Sequence, residues 1–208
     1  MTDIDVMAEA EAERRDLAAL LADLDDGEWA APSLCAGWTV RDVVAHLLSF
    51  EGLGPRVVAA TLLRGRTVAG TNAVALARWA DAGPAELRAR LDAFPRPTGL
   101  TAALGGSVGL VDGVIHAQDV RRPLARPRAI PAPRLRHCLG FAVTAPPLRG
   151  FWAVRGVRVV ATDVDFAHGR GPEARGTGEA VLMTLAGRRG VAAELTGPGA
   201  DRLRARLG

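Results

Sequence analysis

Apolar positions along the first third of the chain recur at helical spacing. From about Ile4 to Leu24, Val6, Ala10, Leu17, Leu20, Leu21 and Leu24 form one stripe, while Glu9, Glu11, Glu13, Arg14 and Arg15 cover the other face. That pattern predicts a long amphipathic helix ended by Asp25-Asp26-Gly27, followed by a connection from Glu28 to Trp38. Two tryptophans in so short a connection, Trp29 and Trp38, suggest a loop that packs. Thr39-Val40-Arg41-Asp42 then reads as a helix start, with Thr39 as N-cap and Asp42 answering it. This second helix should run through Val43, Val44, His46, Leu47 and Leu48 toward about Leu63.

A third helix is expected over roughly Val74 to Phe94, interrupted near Gly83-Pro84, where Pro84 suits a first helical turn. A fourth should span about Ser107 to Arg122 and stop at Pro123. Its apolar positions Val108, Val111, Ile115 and Val120 leave Asp112, His116 and Asp119 on an adjoining side. Gly109 and Gly113 weaken such a helix by up to about 1 kcal/mol each, so a close-packed neighbour or a ligand should compensate. Four helices predict a bundle, an architecture that builds metal sites from side chains on facing helices.

The pattern then changes. Arg121 to Arg136 is rich in proline and arginine and reads as a semi-rigid linker without regular structure. The expected organisation is a helical bundle over 1–122, a linker over 123–134 and a small α+β unit over 135–208. In that unit Leu135, Cys138, Leu139 and Ala142 suggest a short helix, and Gly156 to Phe166 a β-strand. A turn through Gly169, Gly171 and Pro172 leads to a second strand around Ala174 and Arg175. Helices are expected from Gly178 to Ala186 and from Ala200 to Leu207.

Composition narrows the function classes. The 208 residues are 49% hydrophobic and 24% charged, an ordinary globular balance able to bury a real core. The formal net charge is +3 and the pI about 9.9, but acidic and basic residues are interspersed. A nucleic-acid binder would show a clustered basic face, so none is expected. All cationic side chains are Arg, with no Lys and no Tyr, the mark of a GC-rich, actinobacterial-type genome. The polar, acidic N-terminus and the lack of a long apolar run predict a cytoplasmic protein with no membrane partner. Cys35 and Cys138 stand far apart with no ligand spacing, against a disulfide framework.

The candidate chemistry begins with Asp112 and His116. Four residues apart on a helix, they can aim a carboxylate oxygen and an imidazole nitrogen at one point, which is half of a metal site. His46, on an apolar helix stretch, must find a partner if buried; a core histidine bonded to a neighbour and a metal ligand both satisfy that need. Asp119, one turn beyond His116, can orient its imidazole or pair with Arg121 or Arg122. The Cys35 thiol suits a ligand or nucleophile, but its spacing to His46 fits no compact motif and packing is the expected role. His137 and His168 read as surface histidines, and Asp163 and Asp165 as turn and edge residues.

Three segments carry a family resemblance: Arg14-Arg15-Asp16-Leu17; Ser33-Leu34-Cys35-Ala36-Gly37-Trp38-Thr39-Val40-Arg41-Asp42-Val43-Val44-Ala45-His46-Leu47; and Asp112-Gly113-Val114-Ile115-His116-Ala117-Gln118-Asp119. Together they resemble the mycothiol-dependent maleylpyruvate isomerase family of the DinB-like metalloenzyme superfamily. In the last third, Asp163-Val164-Asp165-Phe166, Gly169-Arg170-Gly171-Pro172, Leu185-Ala186-Gly187-Arg188 and Glu194-Leu195-Thr196-Gly197-Pro198-Gly199 are similar to that family's second, sterol-carrier-like domain. The resemblance implies a DinB-like four-helix bundle with a divalent metal, usually zinc, held at His46, Asp112 and His116. The family commonly has a glutamate where this chain has Asp112, so the shorter carboxylate must approach by about one methylene or bind through water. It also implies that Arg188 grips an anionic substrate.

The implied activity is a mycothiol-using isomerase or S-transferase, in which a metal-activated thiol adds to a small electrophile. Addition to the double bond of maleylpyruvate permits rotation before the thiol leaves; in an S-transferase the adduct is the product. The alternative is a non-catalytic small-molecule-binding or regulatory protein on the same scaffold. The expected partner is a small molecule, and the expected assembly a monomer, with a dimer as the alternative.

Overall fold

The computed structural model describes residues 4–145 and 148–207, except the side chains of Arg149 and Phe151. The chain divides into two compact units, Asp5–Pro127 and Arg128–Gly208. Most of the structure is helical, with one small sheet. Among the described residues no helix is long and apolar enough to cross a membrane.

In the Asp5–Pro127 unit, Asp5 caps α1 (Val6–Ala22) by accepting from the Ala8 N–H. The connection that follows contains a helix the apolar pattern did not show: α2 (Asp26–Ala30), closed by an Asp25/Glu28 capping box and burying Trp29. Next, α3 (Val40–Leu48) starts at the expected Thr39/Asp42 box. It does not run on to Leu63. Gly52 turns the chain with φ +67°, and Gly54-Pro55 opens a separate α4 (Pro55–Gly65), because proline takes a first helical position readily.

The expected third helix is likewise two, α5 (Val68–Leu76) and α6 (Pro84–Ala93), with a 3-10 turn over Ala77–Trp79 between them. After a 3-10 segment at Ala103–Gly106 comes α7 (Ser107–Arg121). α7 packs along α1 and α3, and α6 crosses the same two helices. The core between them is Leu17, Leu20 and Leu21 of α1, Val40, Val43, Val44 and Leu48 of α3, Leu87 and Leu91 of α6, and Ala117 and Val120 of α7. A Cβ on Gly109 would come within 2.9 Å of the Thr101 carbonyl oxygen and of Pro97, so the helix's glycine reflects a close neighbour.

In the Arg128–Gly208 unit, α8 (Ala132–Ala142) begins inside the segment expected to be an unstructured linker. Prolines 131 and 133 stand at its entry, where the missing N–H costs no helical bond. α9 (Arg149–Ala153) precedes a sheet of order β2-β1-β3, with β1 (Arg158–Ala161), β2 (Ala167–His168) and β3 (Glu173–Gly176). The strand expected around Ala174 and Arg175 is β3, and the run expected as one strand from Gly156 to Phe166 is only the four-residue β1. β2, containing His168, runs antiparallel on one edge of β1, and β3 lies parallel on the other, with Val159 facing Ala174. α10 (Gly178–Leu185) packs on α8 and β1, and α11 (Pro198–Leu207) on β3. Asp163 accepts from the Gly178 N–H at 2.6 Å, a turn role. Both cysteines are free.

Candidate metal centre

The site is built where α3 and α7 face each other, both within the Asp5–Pro127 unit. His46 occupies the last turn of α3, and Asp112 and His116 are stacked four residues apart on α7. His116 Nε2 lies 3.4 Å from Asp112 Oδ1, and His46 Nε2 lies 3.8 Å from Asp112 Oδ2. The two imidazoles meet edge to face at 4.8 Å between centroids. One donor atom from each of the three residues lies within 4.8 Å of the others.

Behind His116 stands a fully buried carboxylate. Asp119 Oδ2 is 2.8 Å from His116 Nδ1, an i,i+3 pair on α7. That hydrogen bond holds a proton on Nδ1, so Nε2, facing Asp112 and His46, is the nitrogen that would shed its proton to serve as a ligand. Cys35 Sγ lies 3.1 Å from the same Asp119 oxygen. His46 Nδ1, by contrast, is buried without a hydrogen-bond partner.

Charge reinforces the geometry. Burial alone would push the Asp112 carboxyl up, but the charge and hydrogen bonds of His116, then of His46, hold it well below the usual carboxylate range. Burial alone would lower the His116 imidazolium; Asp112, with Asp119 and Cys35, overturns this and raises it well above the ordinary histidine value. The Asp112 side chain keeps 35% of its exposure and His116 9%, so the donor cluster opens toward solvent on the Asp112 side. A narrow pocket beside it, lined by Glu13, Arg14, Leu47, Thr101 and Gly113 among others, has room for about one water.

The donor set fits a divalent metal. Zinc bound at about 2.0–2.1 Å to nitrogen and oxygen in tetrahedral geometry needs ligand atoms about 3.3 Å apart. Asp112 Oδ1 stands 3.4 Å from His116 Nε2, near that value, while the 3.8 Å to His46 Nε2 is measured from Oδ2; one donor atom of each residue lies within 4.8 Å of the others.

The structure thus brings together His46, Asp112, His116 and Asp119. Arg188 belongs to the Arg128–Gly208 unit, where its Nη1 donates to the Ala186 carbonyl at 3.0 Å. Two further residues stand at the site: Trp38, which in sequence reads only as part of a packing loop, and Cys35, whose thiol suits a ligand or nucleophile but whose expected role is packing. Trp38 lies 5.1 Å from the His46 ring and stacks on the His116 ring at 6.4 Å. Cys35 joins the Asp119 carboxylate rather than simply packing. The available hint was their shared position in the tight segment before the Thr39 helix start.

Residues 10–121 match the family model described as the mycothiol maleylpyruvate isomerase N-terminal domain, more than half of the chain. The chain belongs to this family. Among solved structures, a histidine-to-alanine variant of the mycothiol-dependent maleylpyruvate isomerase is similar in fold, with a TM-score of 0.60 and 17% identity. That match covers 94% of this chain and 92% of the other. A second structure of the mycothiol-dependent maleylpyruvate isomerase gives a TM-score of 0.55 at 14% identity, with the same coverage. No protein of curated function matches the chain by sequence. In this member of the maleylpyruvate isomerase family, the matched segment contains all three candidate ligands and Asp119.

Proposed function

We propose that the protein is a metal-dependent, mycothiol-using isomerase or S-transferase acting on a small electrophile, with His46, Asp112 and His116 as the metal ligands. The observation that carries this reading is the convergence of two imidazole Nε2 atoms on one carboxylate, with Asp119 fixing the rear nitrogen of His116. Three protein ligands leave a fourth tetrahedral position for an exogenous group. When bound there, a divalent metal, zinc first, would supply the charge that keeps a low-molecular-weight thiol deprotonated at neutral pH. Asp112 and the two histidines would hold the ion, Asp119 keeps the His116 proton on Nδ1, and Trp38 packs beside both imidazoles, stacked on His116 and tilted against His46.

We infer that α1, α3, α6 and α7 form a DinB-like four-helix bundle, which their shared core supports, and that the Arg128–Gly208 unit is sterol-carrier-like. Free cysteines suit a cytoplasmic setting. The protein acts as a monomer, and Arg188 grips an anionic substrate through its guanidinium.

Elemental analysis of purified protein should find about one zinc per chain, lost in His116→Ala. Zinc-loaded protein should convert maleylpyruvate, or alkylate mycothiol with a related electrophile, and His116→Ala should lose this turnover. Arg188→Ala should raise KM for an anionic substrate while zinc content stays at the wild-type level. A wild-type chain that takes up no zinc would overturn the reading.

A further inference from the structure

The loop that carries Cys35 is fastened to Asp119 of α7 from two directions, and the Cys35 sulfur also lies 3.7 Å from His116 Nδ1. The Leu34 N–H donates to the Asp119 carbonyl at 3.1 Å, and the Cys35 thiol donates to Asp119 Oδ2 at 3.1 Å. The loop itself is closed by internal bonds. Ser33 N–H and Oγ both donate to the Trp38 carbonyl at 2.9 Å, Cys35 N–H donates to Ser33 Oγ, and Trp38 N–H donates to the Cys35 carbonyl. Gly37, at φ +80°, makes the reversal. The thiol is thus delivered by a fixed backbone to the oxygen that also accepts the His116 Nδ1 proton.

Resting on the metal-site reading above, we propose that Cys35 is a positioning residue for His116. Its S–H holds the Asp119 carboxylate in the rotamer that accepts from His116 Nδ1, so the Nε2 lone pair stays aimed at the metal position. The Cys35 thiol and His116 Nδ1 both meet Oδ2, so the thiol adds a restraint on that same oxygen against rotation about the Cα–Cβ and Cβ–Cγ bonds. The same three groups, Cys35 Sγ, His116 Nδ1 and Asp119, also lie close enough to ligate a cation themselves. That use requires the His116 nitrogen already bonded to Asp119 and competes for the imidazole that completes the His46 and Asp112 set, which favours the hydrogen-bonded arrangement.

Zinc affinity, measured by competition with a chromophoric chelator, separates these arrangements in wild type, Cys35→Ala and Cys35→Ser. Loss of an orienting partner typically weakens metal binding about 10–100-fold, and Cys35→Ala is expected to fall in that range. Cys35→Ser retains a donor and is expected to stay within roughly threefold of wild type. Circular dichroism establishes that each variant is folded. The infrared S–H band of Cys35, isolated as the wild-type minus Cys35→Ala difference in metal-free protein, is expected at a hydrogen-bonded position. A free-thiol band, a Cys35→Ala affinity equal to wild type, or a Cys35→Ser loss as large as that of Cys35→Ala overturns the positioning role alone. A sulfur-to-metal charge-transfer band in cobalt-loaded wild type, absent in Cys35→Ser, overturns it by making the thiol a ligand. Wild-type protein that binds neither zinc nor cobalt overturns the metal-site reading itself.

Discussion

The Asp112 carboxylate stands between two imidazoles with one oxygen turned to each, so its charge and its two-sided reach are separable properties. Asp112→Asn keeps the shape and one acceptor oxygen but loses the charge and puts N–H donors opposite a histidine nitrogen. Zinc affinity should fall by more than the roughly 10–100-fold seen when a mere orienting partner is lost, as chelator competition would measure. Equal affinity in the variant would mean that Asp112 is a spectator and the histidines bind alone. Asp112 and His116 were legible in sequence because a four-residue spacing on a helix leaves few directions for two side chains to point. His46 was legible as a buried imidazole in need of a partner, but its partner was not, since that depends on how α3 meets α7. Cys35 was legible only as a thiol open to several roles, and Trp38 only as a packing residue, because a loop docking onto a helix leaves no periodic trace. Asp119 was ambiguous between His116 and the neighbouring arginines; the structure buries it completely and sets it 2.8 Å from His116 Nδ1.

At the scale of elements, the helices whose apolar stripe faces one core were readable: α1 and α7 lie within a few residues of their expected bounds. The failures fall where a short-range breaker outweighs a continuing apolar pattern. Gly52 and Gly54-Pro55 split the second helix, and prolines thought to forbid structure instead open α8. The long β-branched run at residues 156–166 yields only a four-residue strand, paired on both sides, because pairing partners and not propensity set its length. Glycine in α7 gives these competing terms a sign. Gly109→Ala gains about 1 kcal/mol of helix propensity but places a methyl 2.9 Å from the Thr101 carbonyl oxygen and from the Pro97 ring. Backbone cannot yield as a flexible side chain does, and overpacking costs about 1–3 kcal/mol, so a net loss of stability is expected. Gly113→Ala meets only Glu13 Cγ, at 3.3 Å, and should be much nearer neutral. Urea midpoints of the two variants decide; equal midpoints would show that the 97–101 segment moves freely away from α7.

At the scale of the whole Asp5–Pro127 unit, one buried ion pair ties together segments that the apolar core touches less directly. Glu51, fully buried just after α3, pairs with Arg14 of α1, whose Nη1 also donates to the Phe94 carbonyl after α6. The same carboxylate accepts from Thr98 N–H at 2.9 Å, Thr98 Oγ1 at 2.8 Å and Thr101 Oγ1 at 2.5 Å. It therefore anchors the segment that leads into α7 and so the start of the helix bearing Asp112 and His116. Such a pair carries a large desolvation cost, and its presence alone argues little for stability; removing one partner is different, because the other charge is left buried. Glu51→Gln should cost about 3–5 kcal/mol, since the Arg14 side chain is only 11% exposed and cannot turn fully to water. Arg14→Met should cost a comparable amount by stranding the Glu51 carboxylate. The double variant, with neither charge present, should lose less than the sum by about 0.5–3 kcal/mol, the range of coupling between contacting groups. Strictly additive losses in a denaturant double-mutant cycle would show that Arg14 and Glu51 act independently, each held by its backbone and threonine partners. Zinc binding measured on the folded Glu51→Gln protein extends the test to the site: a weakened affinity there, with every ligand intact, would show that the start of α7 is held in register by this pair.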